Sequence, residues 1–297
     1  MADISVVIHT KNASDTVERA IKSVLLWASE ILVIDMKSDD NTVEIAKGMG
    51  AKVISVPDAQ FADPARQLGL ERAKGPWILV LDADEEIPKT LAEILQQLTE
   101  NLAVSAYEIP RKNMIFGHWA HTGWWPDYII RFFQKDAVTW PGRVHALPEA
   151  KGTVVRLEAK EEYAIIHHNY DSVEQFVTRL NRYTSLEVTQ KNENAPLIKT
   201  FFDEFERRYF QDEGLKQGQY GYALSLLQSC YMLIAQVKRM ERKGFSVDNV
   251  SQSVVQIEQD LDDVYRDLCY WIADMHVKND RSFFSRLYWK VRRKLSV

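Results

Sequence analysis

Four short apolar runs, rich in β-branched residues, mark the start of the chain: Ile4–His9, Glu30–Asp35, Lys52–Val56 and Trp77–Asp82. They recur at intervals suited to βα units, and helical patterns fill the gaps, so the pattern predicts a parallel sheet. The first helix is expected to start near Ser14 or Asp15, where Asp15 and Glu18 stand at capping-box spacing. Val17, Ala20, Ile21, Val24 and Leu25 then form one apolar face. A second helix begins near Asp40–Asn41 and ends at Gly48 or Gly50. The third takes Asp63 as its N-cap and Pro64 as its first helical residue, with Gly75 and Pro76 as its stop.

Beyond Asp82 the pattern changes. A helix is expected around Pro88–Asn101 and a strand over Ala106–Pro110, and the aromatic, His-rich stretch from Phe116 to His145 reads as an active-site loop. From Asp171 onward the pattern is almost wholly helical, with helices at 171–191, 197–211, 220–243, 247–276 and 281–294. The chain therefore divides near residue 170, into an α/β domain over 1–170 and a helical region over 171–297. No internal repeat, low-complexity tract or Gly/Ser linker interrupts it.

Composition narrows the class. The 297 residues are 46% hydrophobic and 27% charged, with 12 Gly and 9 Pro, which excludes collagen-like, disordered and disulfide-scaffold chains. This length can bury a core without disulfides or structural metal. Cys230 and Cys269 show no metal-ligand spacing, and the N-terminal MADISVVIHT lacks the basic and apolar regions of a secretory signal, so a reducing, cytoplasmic location is expected. The uncharged run Gln217–Val237 reaches transmembrane length, but interspersed Gln and Ser make it a buried or interfacial helix.

The net charge of −5 hides an asymmetry. Residues 278–297 hold seven Lys or Arg against Asp280, a net +6, which leaves −11 on the remainder. Within this tail, Phe283, Phe284, Leu287, Tyr288 and Val291 share one helical face while Arg286, Lys290, Arg293 and Lys294 occupy others. The segment reads either as an amphipathic helix for an anionic membrane surface, peripheral at the inner face of the cytoplasmic membrane, or as a helix packed on the body. The acidic remainder and the absence of a recognised motif argue against a nucleic-acid partner. The long helices after residue 245 offer a homodimer interface as another use.

The chemistry concentrates where strands end. Ile78–Leu81 runs into Asp82-Ala83-Asp84-Glu85-Glu86, four carboxylates at the end of a buried strand, which need a cation or donors to offset them. Hard Mg²⁺ or Mn²⁺ combines one or two carboxylates with substrate phosphates, so Asp82 and Asp84 point to a metal-bridged diphosphate. The alternative is that Asp84, Glu85 and Glu86 cap the following helix. Ligands of open parallel sheets bind outside the carboxyl ends of the strands, where Thr10, Asn12, Asp35, Asp82 and Asp84 would line one crevice. Neither G-x-G-x-x-G nor a P-loop is present, so phosphate must be met by metal and side chains, with Arg66 as one partner. Trp119, Trp124, Trp125 and Trp140 could stack on sugar rings or cover the sheet edge.

These pieces together resemble glycosyltransferase family 2, inverting enzymes of GT-A fold that use nucleotide-diphosphate sugars. The match rests on His9-Thr10-Lys11-Asn12, on Val33–Ala46, on Phe61-Ala62-Asp63-Pro64-Ala65-Arg66-Gln67 and on Trp77–Glu85. Within the family the chain looks most like bacterial enzymes that add a glucose-type residue to the lipopolysaccharide inner core. That likeness extends through Tyr128–Phe133, Gly142-Arg143-Val144-His145 and His167-His168-Asn169-Tyr170. The resemblance implies an α/β GT-A fold, a mostly parallel sheet with helices on both faces, plus a helical C-terminal extension. It also implies a UDP-sugar donor, Mn²⁺ or Mg²⁺ as cofactor, and a glycolipid or oligosaccharide acceptor.

By the same resemblance, Thr10 would hold the base through its backbone, Asp35 the base or ribose, and Asp82 the ribose. Asn12 would join this donor pocket, Arg66 would support it, and Asp84 would coordinate the metal. His145 would complete the metal shell, bind the diphosphate, or serve as a hydrogen-bonded structural residue. Inversion needs a base for the acceptor hydroxyl. The family often carries a carboxylate where this chain has Ala146, so Asp127 is the first candidate and Glu149 the second, Asp127 alternatively being a turn carboxylate after Pro126. Two rival readings are a membrane-docked glycan-binding protein on a degenerate transferase fold and a haloacid-dehalogenase-type phosphatase built on Asp82 and Asp84.

Overall fold

The computed structural model describes residues 3–57, 63–141, 147–187, 195–245 and 250–295. The chain forms two compact units that divide between Asp171 and Ser172. The first contains strands β1 (Ile4–Thr10), β2 (Glu30–Asp35), β3 (Lys52–Ser55), β4 (Trp77–Asp82), β5 (Glu85–Glu86), β6 (Ala106–Ile115), β7 (His118–Trp119), β8 (Asp127–Gln134), β9 (Val138–Thr139), β10 (Glu149–Ala150), β11 (Val154–Arg156) and β12 (Ile165–Tyr170). Its helices are α1 (Val17–Val24), α2 (Thr42–Gly48), α3 (Asp63–Arg72) and α4 (Lys89–Leu98).

The main sheet has the order β3-β2-β1-β4-β8-β6-β12-β5, with β11 and β7 pairing to β6. Strands β3, β2, β1 and β4 are parallel, and the mainly apolar β2, β1 and β4 suit burial on both faces, all seven residues of β1 being buried. Alternate residues serve two cores. Ile4, Val6, Ile8, Leu79 and Leu81 pack with Val17, Ile21 and Val24 of α1 and Leu91 and Leu95 of α4. Val7, Leu32, Ile34, Ile78 and Val80 pack with Ala65 and Leu70 of α3 and with Ala73 just after it. Helices thus cover both faces. From β8 onward the sheet is mixed, since β8 runs antiparallel to both β4 and β6.

Two local expectations are corrected. No capping box opens α1: its N-cap is Thr16, which makes no side-chain capping bond, and the Thr16 and Val17 N–H groups donate to the Ala13 carbonyl. The preceding loop is held from outside, by Thr42 Oγ1 and Asp40 Oδ2 accepting from the Ala13 and Ser14 N–H groups, so the helix starts later. The stretch from Phe116 is not all loop, because it contains β7, β8 and β9. Strand β8 escapes a hydrophobic pattern because it places Asp127 and Arg131 among its apolar residues, and its pairing with β6 skips Arg131, the extra residue of a β-bulge.

The second unit holds α5 (Val173–Glu187), α6 (Leu197–Glu206), α7 (Gly218–Lys243), α8 (Val250–Asn279) and α9 (Phe283–Leu295). The uncharged run forms most of α7, where Ser225 and Ser229 are buried by donating to carbonyls four residues back, at 2.7 and 2.8 Å. A single 3-10 turn, Gly214–Gln217, precedes α7 so closely that a Cβ on Gly221 would lie 2.0 Å from the Gly214 carbonyl oxygen. Helix α9 packs on α8: Arg293 donates to Asp274 at 2.6 Å, and the rings of His276 and Trp289 stack 4.1 Å apart. Phe283, Phe284, Leu287, Tyr288, Val291 and Leu295 nevertheless stay exposed, Phe284 at 80% and Leu287 at 50%. Among the described residues no helix is long and apolar enough to cross a membrane.

Candidate functional site

Parallel strands that end level bring their following loops together. Thr10 aligns with Asp35, and His9 with both Ile34 and Asp82. The loops after β1 and β2 then clasp each other: Ser38 Oγ accepts from the Asn12 N–H at 2.9 Å, and Asn12 Oδ1 accepts from the Asp39 N–H at 3.0 Å. Asn12 takes a left-handed conformation, φ 49°, which asparagine tolerates better than most residues. Asp35 and Thr10 are buried, and both Asp35 oxygens face the Ser38 N–H. Hydrogen bonds from Thr42 and Ser14 outweigh burial and lower the Asp40 carboxyl to about 2, so the clasp carries a negative charge at neutral pH.

Asp82 ends β4 between two guanidinium groups. Arg66 of α3 donates to Oδ1 at 2.7 Å and Arg131 of β8 to Oδ2 at 2.5 Å. Burial alone would raise the Asp82 pKa, but Arg131 and Arg66 override it and hold the carboxyl well below the usual range. Arg131 is 1% exposed and also donates to Glu85 at 3.3 Å; burial opposes its charge, and Asp82 with Glu85 more than restores it. Glu85 is fully buried and accepts from the Asp82 N–H at 2.9 Å, which closes the turn around Ala83 and Asp84. It is therefore not a helix cap; that position falls to Pro88, ahead of α4. Arg66 lies over the Trp140 ring, 5.3 Å from its centroid, so Trp140 is buried there as packing.

A second cluster continues across β6. Arg111 is opposite Asp127 in the β6–β8 register, and Asn113, two residues on, is opposite His167 in the β6–β12 register. Arg111 grips Asp127 Oδ2 through Nε and Nη2, at 3.0 and 2.6 Å, and its Nη1 reaches Glu85 at 3.4 Å. Asn113 donates to the same Oδ2 at 3.1 Å and meets His167 Nδ1 through its own Oδ1 at 2.7 Å. His167 Nε2 faces Asp84 Oδ1 at 3.7 Å, while the His168 N–H donates to the Asp84 carbonyl and ties the turn to β12. A continuous set of charged and polar groups thus runs from Arg66 and Asp82 through Glu85 and Arg111 to Asp127, and from Asp127 through Asn113 and His167 to Asp84.

The structure therefore brings together Arg66, Asp82, Asp84 and Asp127, and sets Thr10, Asn12 and Asp35 at the adjacent strand ends. Glu149 lies exposed on β10, opposite Thr139, and makes no hydrogen bond into this network. His145 lies outside the described residues, with its neighbours Gly142–Ala146. Glu85, Arg111, Asn113, Arg131 and His167 were not anticipated as site groups. Their partners are remote in sequence, and only the strand register reveals them. The one available signal was an Arg and a His inside otherwise strand-like segments, where burial demands a partner.

Among the described residues, no group of three or more His, Cys, Asp or Glu side chains could hold a metal ion. Asp84 and His167 make a pair. A site that shares its cation with a diphosphate needs only one or two protein ligands, so the pair fits Mg²⁺ or Mn²⁺ bound together with substrate phosphate.

A glycosyltransferase of Rickettsia felis is 30% identical over 210 residues, covering 62% of this chain and 69% of that protein. A TPR repeat-containing protein of Synechococcus elongatus is 25% identical, over all of this chain and 76% of its own length. Glucosyl-3-phosphoglycerate synthase of Mycobacterium tuberculosis, crystallised with Mn²⁺, UDP and phosphoglyceric acid, overlaps 61% of this chain and 78% of that one, at 17% identity and a TM-score of 0.40. The family model Glycosyl transferase family 2 matches residues 5–153, from the first strand past Asp82, Asp84 and Asp127, with His167 beyond its end. The chain belongs to glycosyl transferase family 2 and is a glycosyltransferase.

Proposed function

We propose that this transferase is inverting and metal-dependent, and that it moves a hexose, glucose being the first choice, from a UDP-sugar to a glycolipid or lipopolysaccharide-core-type acceptor. The observation that carries the reading is Asp82 clamped by Arg66 and Arg131, next to the Asp84–His167 pair, at the strand ends where Thr10, Asn12 and Asp35 also converge. Thr10, Asn12 and Asp35 would hold the uracil and ribose, and Asp82, fixed as a carboxylate, the ribose hydroxyls. Asp84 and His167 would hold the cation. A divalent cation supplies positive charge that stabilises the negative charge gathering on a departing diphosphate.

In this reading Asp127 is the base. Arg111 and Asn113 converge on Oδ2, so Oδ1 would be the oxygen that takes the acceptor proton. The acceptor hydroxyl gives its proton to Asp127 as its oxygen bonds to the anomeric carbon. The bond from that carbon to the diphosphate oxygen breaks on the opposite face, and the oxygen leaves with the electron pair. Helix α9 would dock the protein on the membrane that carries such an acceptor, its exposed Phe283, Phe284, Leu287 and Val291 sitting among Arg286, Lys290, Arg292 and Lys294.

The test is a screen of UDP-hexoses for transfer or slow hydrolysis, with wild type and Asp127→Asn. The reading expects at least a 1000-fold loss of kcat in the variant with UDP affinity within about twofold, since one catalytic proton-transfer group contributes roughly 10²–10⁴-fold. Asp127→Asn transferring at near wild-type rate removes Asp127 from the mechanism.

A further inference from the structure

The hydrogen bonds of Asn113 fix the chemistry on both sides of it. Asn113 is 2% exposed, on β6 between β8 and β12. Its amide nitrogen lies 3.1 Å from Asp127 Oδ2 and 3.4 Å from the Trp124 carbonyl oxygen, both of which only accept. The amide cannot be reversed without setting oxygen against oxygen at both contacts. Its Oδ1 therefore faces His167 Nδ1, 2.7 Å away, and that nitrogen must carry the hydrogen. In the neutral ring this leaves Nε2 as a lone pair directed toward Asp84 Oδ1 at 3.7 Å. Two acceptors then stand 3.7 Å apart, a separation that two ligands of one cation can span, and the histidine is presented as a ligand rather than as a donor.

We propose that Asn113 is a positioning residue with two separable roles: its carbonyl sets the His167 tautomer that binds the cation shared with Asp84, and its NH₂ group orients Asp127 for proton abstraction. The inference rests on the reading of Asp84 as a metal ligand and Asp127 as the base. It adds to that reading a physical link between donor and acceptor chemistry, through one amide, which neither an apolar residue nor a simple carboxylate can supply. Asn113→Asp keeps an acceptor for His167 but replaces the donor to Asp127 with a second carboxylate oxygen. Asn113→Ala removes both.

The two roles are separated by measuring Mn²⁺ binding in the presence of saturating UDP, by the loss of the free-ion paramagnetic resonance signal, alongside kcat with donor and acceptor. Asn113→Ala is expected to weaken Mn²⁺ binding at least tenfold, the usual range for loss of an outer-shell partner, and to lower kcat as well. Asn113→Asp is expected to bind Mn²⁺ within about threefold of wild type while kcat falls at least tenfold. Asn113→Asp is nearly isosteric and keeps the test open if the alanine variant does not fold. The inference is overturned if both variants bind Mn²⁺ as wild type does, or if Asn113→Asp loses Mn²⁺ as severely as Asn113→Ala. A wild type that holds no Mn²⁺ with UDP overturns the underlying metal reading, and this inference with it.

Discussion

At the scale of single residues, the site is an array of charges that are buried only because they are paired. Removing Arg131 would leave the fully buried Glu85 with only the longer Arg111 contact at 3.4 Å and Asp82 with Arg66, and breaking a buried pair of this kind costs about 3–5 kcal/mol. His9 sits beside the same array. Burial first, then the charge of Arg66 and to a lesser degree Arg131, pushes its imidazole down to about 3, so it is neutral in the folded protein. In the unfolded chain it titrates near 6.5, so below that pH the unfolded state binds a proton that the folded state refuses. Stability from this group is complete above about pH 7 and falls as pH drops toward 3, by about 2 kcal/mol between pH 7 and pH 5. Urea titrations of wild type and His9→Gln at both pH values check this. The stability difference between the two proteins should narrow by that amount at pH 5, and an unchanged difference would show that His9 is protonated in the fold.

Among the elements, α3 matters most to the site because it delivers Arg66. It approaches the sheet through Gly69, where a Cβ would lie 2.5 Å from Val7 Cγ1, 3.2 Å from Ile34 Cγ1 and 3.3 Å from His9 Nε2. Gly69→Ala should therefore lift α3 from β1, at about 1–3 kcal/mol, and draw Arg66 off Asp82. The expected outcome is a lower melting temperature and weaker UDP binding, with Val7→Ala in the same chain restoring part of both. If Val7→Ala restores nothing, the close packing of α3 is not what holds Arg66. Elements of this kind were largely legible: β1, β2 and β4 are mainly apolar runs, β3 shows only Val53 and Ile54, and α5 to α9 follow their expected spans within a few residues. Strand β8 was not, because its bulge and its buried Arg131 obey a register set by β4 and β6 rather than a period within the strand. The site divides in the same way. Asp82, Asp84 and Arg66 stand out by position at strand ends and on a helix, whereas the bond from Asn113 to His167 spans 54 residues and exists only once β6 and β12 are aligned.

Considered as a whole, the chain separates charge between its parts. The first unit gathers Asp82, Asp84, Glu85 and Asp127 with Arg66, Arg111 and Arg131 at the proposed donor site, and the last helix of the second unit carries a basic, apolar surface. Each basic side chain near anionic lipid contributes about 1 kcal/mol, enough in combination with the exposed Phe283, Phe284 and Leu287 for reversible docking. Flotation with phosphatidylglycerol vesicles should recover the wild type and leave behind both a Phe284→Ser/Leu287→Ser variant and a chain ending at Val277. Equal recovery of all three would remove α9 as the docking surface.

The proposed chemistry of donor and acceptor depends on one complex, a nucleoside diphosphate held with a divalent cation at Asp82 and Asp84. The direct measurement is calorimetric titration of UDP into wild type and Asp84→Ala, each with Mn²⁺, with Mg²⁺ and with EDTA. A cation shared between Asp84 and the diphosphate requires that wild-type UDP binding weaken at least tenfold when EDTA replaces the cation, and that Asp84→Ala bind equally weakly under all three conditions. Wild-type binding unaffected by EDTA, or an Asp84→Ala variant with its full metal dependence intact, would contradict it.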